Sequence, residues 1–596
     1  MAERAPGPNI YTIAAHRGFA DALVAGLVPR YREDDLGLAR LTLLVPSARA
    51  ARTLSEAFIR HAGETGVQGL LMPRMVTVGD LDLDEALGSL LDPLGASDIP
   101  AAVDPGRRWL ELAALIAQEL AEAGEEPLPG RARLHLAREM ARTMDRLLVE
   151  QKRPEDLLGD AVLDRLGNLS GHWQRSIRLF ARVQARWQAR LAETGSVDAA
   201  TRRNLLFDHA ARRWRAEPPA LPIVAAGVTS AAPALARLLK VIAGLPNGAV
   251  ILPDLDLAMD EATWDELGRA GAAAEPGGDI FSGRDALTHP QYHLKLLLAR
   301  MGVARGEVRP WHRRGIGAAE PARARAISAL FLPPQASRSW VSLPADQRRL
   351  KGVRMMTSAS IEEEAQAIAL LVREGLQAAN KRIAVVTADR GLARRVVQHL
   401  ARWHIAADDT AGQPLALTAA GRFFGLLAEL MAGGLTPQVL IGALAHPLVR
   451  ADDTEARRVW LGALRAFDRA LRGPAPPAGF APLRKIAAKA QVAPWWAEAE
   501  SLIAPLIAPL IAGQEEIALA DALDGLAAVA ESLGGEGVWA REDGRALASM
   551  IETLRMDARA CDTRLDPRDV AGVLRDAMDE IAVRPPYGSH PRVAIY

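Results

Sequence analysis

Cysteine is almost missing from this sequence: Cys561 is the only one in 596 residues. That excludes an internal disulfide framework and any all-cysteine metal or iron–sulfur site within these residues. A reducing, cytoplasmic setting is expected. Lysine is missing from the first quarter, where Lys152 is the first to occur. A loop that cradles nucleotide phosphates needs GxxxxGK[ST], because its lysine reaches the β- and γ-phosphates and its Ser or Thr holds magnesium. Long apolar runs are also missing. The opening MAERAPGPNIYTI has no continuous apolar stretch after its charges, and no segment reaches the roughly 18 apolar residues that span a bilayer. A membrane-embedded or exported protein is therefore not expected. Excess charge of one sign is absent too, since 72 Lys and Arg balance 72 Asp and Glu. Any nucleic-acid surface must then be a local groove offset by acidic faces elsewhere.

What is present is ordinary for a globular protein, with 49% hydrophobic and 24% charged residues. The length suggests roughly four domains. Basic charge is carried almost wholly by arginine, which binds phosphate in a planar fork and stacks on bases, although GC-rich coding produces the same bias.

The pattern of apolar residues divides the chain. Asn9 to Ile13 reads as a strand, Gly18 to Tyr31 as a helix, Leu41 to Val45 as a strand and Ala48 to His61 as a helix, a βαβα start. From Asp104 to about Leu191 the spacing is helical, broken by turn signals at GEEPLPGR and QKRPEDLLGD. Strands return at Leu221 to Val228 and at Ala249 to Leu257, with a helix from Pro233 to Ala243 between them. The stretch from Arg309 to Ser342, rich in Pro, Arg and small residues, reads as a connection, with a boundary near 345. Beyond it VRMMTSAS is expected to form a strand, IEEEAQAIALLVREGL a helix with Glu362 to Glu364 at its positive end, KRIAVVTAD a strand and GLARRVVQHLARWHI a helix. From about 431 to 580 the pattern is mostly helical, and LIAPLIAPLIAG reads as a buried, irregular helix. HPRVAIY reads as a strand that stops at the last residue, so a longer protein is expected.

Two α/β units, each interrupted by helices, resemble the plan of superfamily 1 DNA helicases. The segments LVPSARAARTLSEAFIR, LPIVAAGVTSAAPALARLL, AVILPDLDL, HPQYHLKLLLARMGV, IEEEAQAIALLVREGL and HPRVAIY, with the Asp408-Asp409 step, resemble the AddB family in its alphaproteobacterial form. AddB is the helicase-like and nuclease subunit of the AddAB double-strand break repair complex. The resemblance implies an α/β fold with two helicase-like (RecA-like) parallel-sheet lobes, each carrying a mostly helical insertion. The expected division is 1–95 for the first lobe, 96–205 for its helical insertion, 206–345 for the rest of that lobe and the connection, 346–430 for the second lobe, 431–580 for its helices and 581–596 for a return strand. It also implies an AddA-type helicase-nuclease partner carrying ATP and magnesium, a single DNA strand at a duplex end as ligand, and a nuclease domain beyond these residues. No cofactor is expected on this chain itself.

Tested residue by residue, the chemistry of such a motor is missing. Ile13 to Leu23 reads IAAHRGFADAL where the phosphate loop belongs, and Ala225, Ala226 and Gly227 stand where acids would hold magnesium. Asp254 and Asp256 in LPDLDL are an alternative acid pair, read as a strand-end turn. Glu150-Gln151-Lys152 alone matches the nuclease spacing, at a helix end. Asp80, Asp82 and Asp84 alternate like a calcium loop, but Glu85 and Leu91 stand where glycine and a bidentate acid are needed. His289 and His293 lack a third ligand and suit a capping or packing role. Gly535 and Gly537 follow a helical run, so they mark a turn and not a dinucleotide fingerprint. The expected DNA contacts are Ser47, Arg49 and Arg52 after the second strand, Thr357 and Ser358 after the strand from Val353, and Arg390, Arg394 and Arg395. All of these types also serve as helix caps or surface charges. Trp311 with Arg309, Arg313 and Arg314 is a further stacking candidate. A structural adaptor without DNA contact and an ATPase with a degenerate loop are the rival readings.

Overall fold

The computed structural model describes residues 7–66, 69–79, 90–91, 98–153, 171–273, 279–311, 321–345, 352–379, 381–409, 411–477, 479–584 and 590–596. Asp80, Asp82, Asp84, Arg313 and Arg314 lie outside the described residues. The chain forms two compact units, one from Met1–Ala102, Met144–Gly159 and Arg190–Met355, the other from Val103–Thr143, Asp160–Ala189 and Met356–Tyr596.

The first unit is built on a six-stranded sheet of β1 (Ile10–Ile13), β2 (Thr42–Val45), β3 (Arg74–Thr77), β4 (Ile223–Ala226), β5 (Gly248–Pro253) and β6 (Arg309–Pro310). The order is β3-β2-β4-β5-β1-β6 and every pairing is parallel. Parallel strands covered on both faces read as continuous apolar runs, as IVAA and GAVILP do here. Side chains alternate between two cores. Val224, Ala226, Ala249 and Ile251 face a layer formed by α1 (Phe19–Tyr31) and α2 (Ala48–Thr65), while Ile223, Ala225, Val250 and Leu252 face helices Ala199–Ala216, Pro233–Gly244 and Pro290–Met301. The crossovers follow the right-handed rule, so leftward moves (β1 to β2, β2 to β3) put their helices on one face and rightward moves (β4 to β5, β5 to β6) put theirs on the other.

Two short strands were not legible. β3 was unmarked in the sequence, and β6 falls inside the stretch read as a connection, where only two residues pair with Tyr11 and Thr12.

In the second unit, Val593–Ile595 lies between Ile383–Val385 and Asp408–Asp409, parallel to both. Helices Ile361–Gly375 and Arg390–Ala401 pack together on this small sheet. Residues 353–358 form no strand, contrary to expectation: they carry no regular secondary structure, and Met355 is 92% exposed. The alternation of a few apolar residues needs a sheet edge to become a strand, and here none takes it up.

The helices expected between 96 and 205 are shared between the units. Helix α3 (Pro105–Glu122) turns Trp109, Leu112 and Ile116 inward and packs on helix Arg541–Ala560, which groups residues 103–143 with the C-terminal part of the chain. The segment LIAPLIAPLIAG continues helix Ala493–Ile511 through Pro505 and Pro509, with Ile503, Leu506 and Ile507 buried. Among the described residues no helix is long and apolar enough to cross a membrane.

Candidate nucleic-acid interface

In an open parallel sheet, ligands are received at the carboxyl ends of strands, where neighbouring connections leave for opposite faces. The strand order puts two such places in the first unit, between β2 and β4 and between β5 and β1.

Between β2 and β4 the register sets Leu44 opposite Ala225, so the Pro46-Ser47 turn and the Gly227 to Ser230 loop emerge at the same end. Ser47 is the N-cap of α2: the Ala50 amide donates to its Oγ at 3.2 Å. No acid stands in the first turn of α2, and Arg49 and Arg52 are exposed along it. Arg52 lies 3.5 Å from Glu56, a pair that water weakens. Helix Pro233–Gly244 also starts without an acid in its first turn and without a side-chain cap, Ser230 instead accepting from the Ala232 amide at 3.2 Å. Two helix N-termini without an acid in their first turn therefore begin at the strand ends that carry the hydroxyl residues Ser47, Thr229 and Ser230. Sequence reasoning missed Thr229 and Ser230, although a hydroxyl pair between a strand and a proline-started helix was the available signal.

The first residue of α1 closes on the Gly227 turn of the same crevice. Gly227 has φ +77°, and the ring of Phe19, the first residue of α1, lies 3.3 Å from where a Cβ on Gly227 would stand, with Pro46 at 3.8 Å. An aromatic ring thus occupies the mouth between β1 and the β2–β4 loops.

Between β5 and β1, Asp254 takes a left-handed conformation, φ +57°, and its amide donates to the Ile13 carbonyl at 2.8 Å. Burial raises the Asp254 carboxyl above its ordinary value, Asp256 adds to this, and the Ala15 amide opposes it. Both acids are engaged within the fold. Gln291 donates to the Asp254 carbonyl at 2.7 Å and accepts from the Asp256 amide at 2.9 Å, and Ser328 donates to the Asp256 carboxylate. His16 has its Nδ1 enclosed without a hydrogen-bond partner, and burial followed by the Arg17 charge lowers its pKa. A neutral imidazole does not replace a phosphate-binding lysine.

The remaining residues singled out in the sequence fall as follows. His289 caps helix Pro290–Met301, accepting from the Gln291 amide at 3.1 Å, and its Nε2 meets the Phe331 carbonyl. Glu150 pairs with Arg300 at 2.6 Å. Gly535–Val538 is a 3-10 turn. Trp311 is no stacking platform. It is 3% exposed, donates to the Ala22 carbonyl at 3.2 Å, and lies under the Arg30 guanidinium at 4.3 Å. Among the described residues no group of three or more His, Cys, Asp or Glu side chains is arranged to hold a metal ion.

In the second unit Thr357 and Ser358 are exposed on the unpaired segment. The helix after it, capped by Ser360, carries Glu362, Glu363 and Glu364 in its first turn. The N-terminus of helix Arg390–Ala401 is filled by Asp389, which accepts from the Gly391 amide at 2.7 Å. Arg390 pairs with Asp409, Arg394 donates to the Arg390 carbonyl at 3.2 Å, and Arg395 donates to Glu362 at 2.9 Å. His399 and Arg395 together hold the Glu362 carboxyl below its usual range. Arg390 and Arg395 thus pair with acids, the second in a pair as open to water as Arg52–Glu56, and Arg394 meets only a carbonyl of its own helix. Comparison of the sequence with models of known families and with curated proteins gave no match.

Proposed function

We propose that this chain is a DNA-holding, catalytically silent helicase-like region of an AddB-type subunit, working beside an AddA-type motor that binds ATP and magnesium. Its ligand is one strand at the end of a broken duplex, and the complete complex processes that end for recombinational repair. The observation that carries the reading is the β2–β4 crevice: two acid-free helix N-termini, three hydroxyl residues, and Arg49 and Arg52 at one end of a parallel sheet. Such a surface suits a phosphate backbone without reading bases. The Phe19 ring at Gly227 and the missing lysine support silence toward ATP.

The second unit supports the rival reading of a structural adaptor, because Arg390, Arg394 and Arg395 are engaged within it. DNA contact is therefore assigned to the first unit. The test is fluorescence anisotropy with a labelled single-stranded oligonucleotide over about 50 to about 200 mM salt. Arg49→Ala is expected to weaken binding on every sequence and flatten the salt slope by about one, while Arg394→Ala leaves both unchanged. Absence of salt-dependent binding would favour the adaptor, and micromolar ATP binding by calorimetry would overturn the silent motor.

A further inference from the structure

At the start of α3 two carboxylates meet where one alone would be expected. Asp104 is the N-cap, its Oδ1 accepting from the Gly106 amide at 2.8 Å. Asp557, from helix Arg541–Ala560, enters from the other side. It is 9% exposed, and its Oδ2 is enclosed without a protein donor. That oxygen lies 2.4 Å from where a Cβ at position 106 would stand, and Asp104 Oδ1 lies 3.1 Å from the same point. Only glycine at 106 admits the approach. The two carboxyls thus converge on one point above Gly106, and two carboxylates brought together in this way repel unless one of them holds a proton.

We propose that Asp104 and Asp557 form a one-proton latch that fastens the first turn of α3 to helix Arg541–Ala560, at the point where the chain enters the second compact unit. The surroundings suit a proton that comes and goes. Burial and then the Asp104 charge push Asp557 up to about 6, and Arg107 opposes them. The positive end of α3 also limits the rise. The other ionisable groups nearby are Glu111, which binds Arg107 at 2.6 Å, and Cys561 at the end of the facing helix. Arg555 and Arg559 stand about 200° around that helix from Asp557 and bind Asp524 of helix Leu519–Gly534. Asp543, at the far end of the same helix, accepts from the Ala420 amide.

The sign follows from the raised value. The fastened form keeps a proton that the released form gives up, so fastening is fully favoured below the ordinary aspartate value and is lost as pH rises through about 6. Between pH 5 and pH 7.5 the fastening constant should fall roughly tenfold. Hydrogen exchange by mass spectrometry on the whole chain, corrected for intrinsic rates, reads this as a roughly tenfold loss of protection in the first turns of α3. Asp557→Asn, isosteric and neutral, should stay protected at both pH values. Asp104→Asn keeps a capping side chain and removes the opposing charge while Asp557 stays buried, so its pH response should shrink without vanishing, which covers the case in which the first variant fails to fold. Equal protection of the parent chain at the two pH values, or an unchanged pH response in the folded variants, would overturn the latch.

Discussion

Trp311 shows how a single side chain changes meaning once its surroundings are known. Flanked by arginines in a proline-rich stretch, it reads as a base-stacking platform. In the fold its amide donates to the Thr12 carbonyl at 2.8 Å beside β1, and the indole enters the gap left by Gly26, where a Cβ would come within 2.3 Å of it. Trp311→Ala is expected to cost about 3–5 kcal/mol in urea denaturation of the first unit, with no change in the salt slope of DNA binding by the folded fraction. His446 makes the opposite case, a residue with no sequence signal that sets a pH response. It stacks on Phe423 at 5.0 Å, and burial, then Arg457 and Arg422, push it down to about 4. Folding keeps it neutral, so its contribution is complete above the ordinary histidine value and is lost as pH falls toward 4. Stability should therefore fall over that window, by no more than on the order of 3 kcal/mol and seen as a falling melting temperature, and His446→Gln should flatten the decline. The decline would not vanish, because burial lowers His289 as well.

Elements were legible where periodicity was strong and a partner was implied by the pattern itself. The helices at 19–31, 48–65, 233–244, 361–375 and 390–401 fall where apolar spacing predicts them, since an amphipathic stripe needs only some apolar layer to cover it. Short strands were not legible in the same way. Residues 353–358 have strand-like composition and stay unpaired, while Arg309 and Pro310 lack it and pair with β1, because pairing is decided by which edge is vacant. Contacts between helices were hidden too. Glu119 on α3 is buried and is met by Arg182 at 3.1 Å and by Arg186 from helix Gly171–Thr194. Both guanidinium groups keep water, with exposures of 51% and 38%, so Glu119→Ala should cost about 2 kcal/mol and not the full penalty of a broken buried pair. A two-step loss of helicity by circular dichroism, with the second unit melting first, would register it.

At the scale of the molecule, the sequence alone determined that the chain is an α/β protein with no lysine before Lys152, no cysteine framework and no acid in the Gly227 to Ala232 stretch that follows β4. These follow from composition and from local periodicity, which are properties of neighbouring residues. Of the site expected from sequence, Ser47, Arg49 and Arg52 lie at a strand end as reasoned, and Thr229 and Ser230 join them only through the pairing of β2 with β4 across almost two hundred intervening positions. Only the tertiary structure decided that Phe19 covers Gly227, that Arg390 and Arg395 pair with acids while Arg394 meets a carbonyl of its own helix, and that Asp104 meets Asp557. Each depends on the packing of segments distant in the chain, and the burial and charge that packing imposes are not encoded in any single stretch of residues.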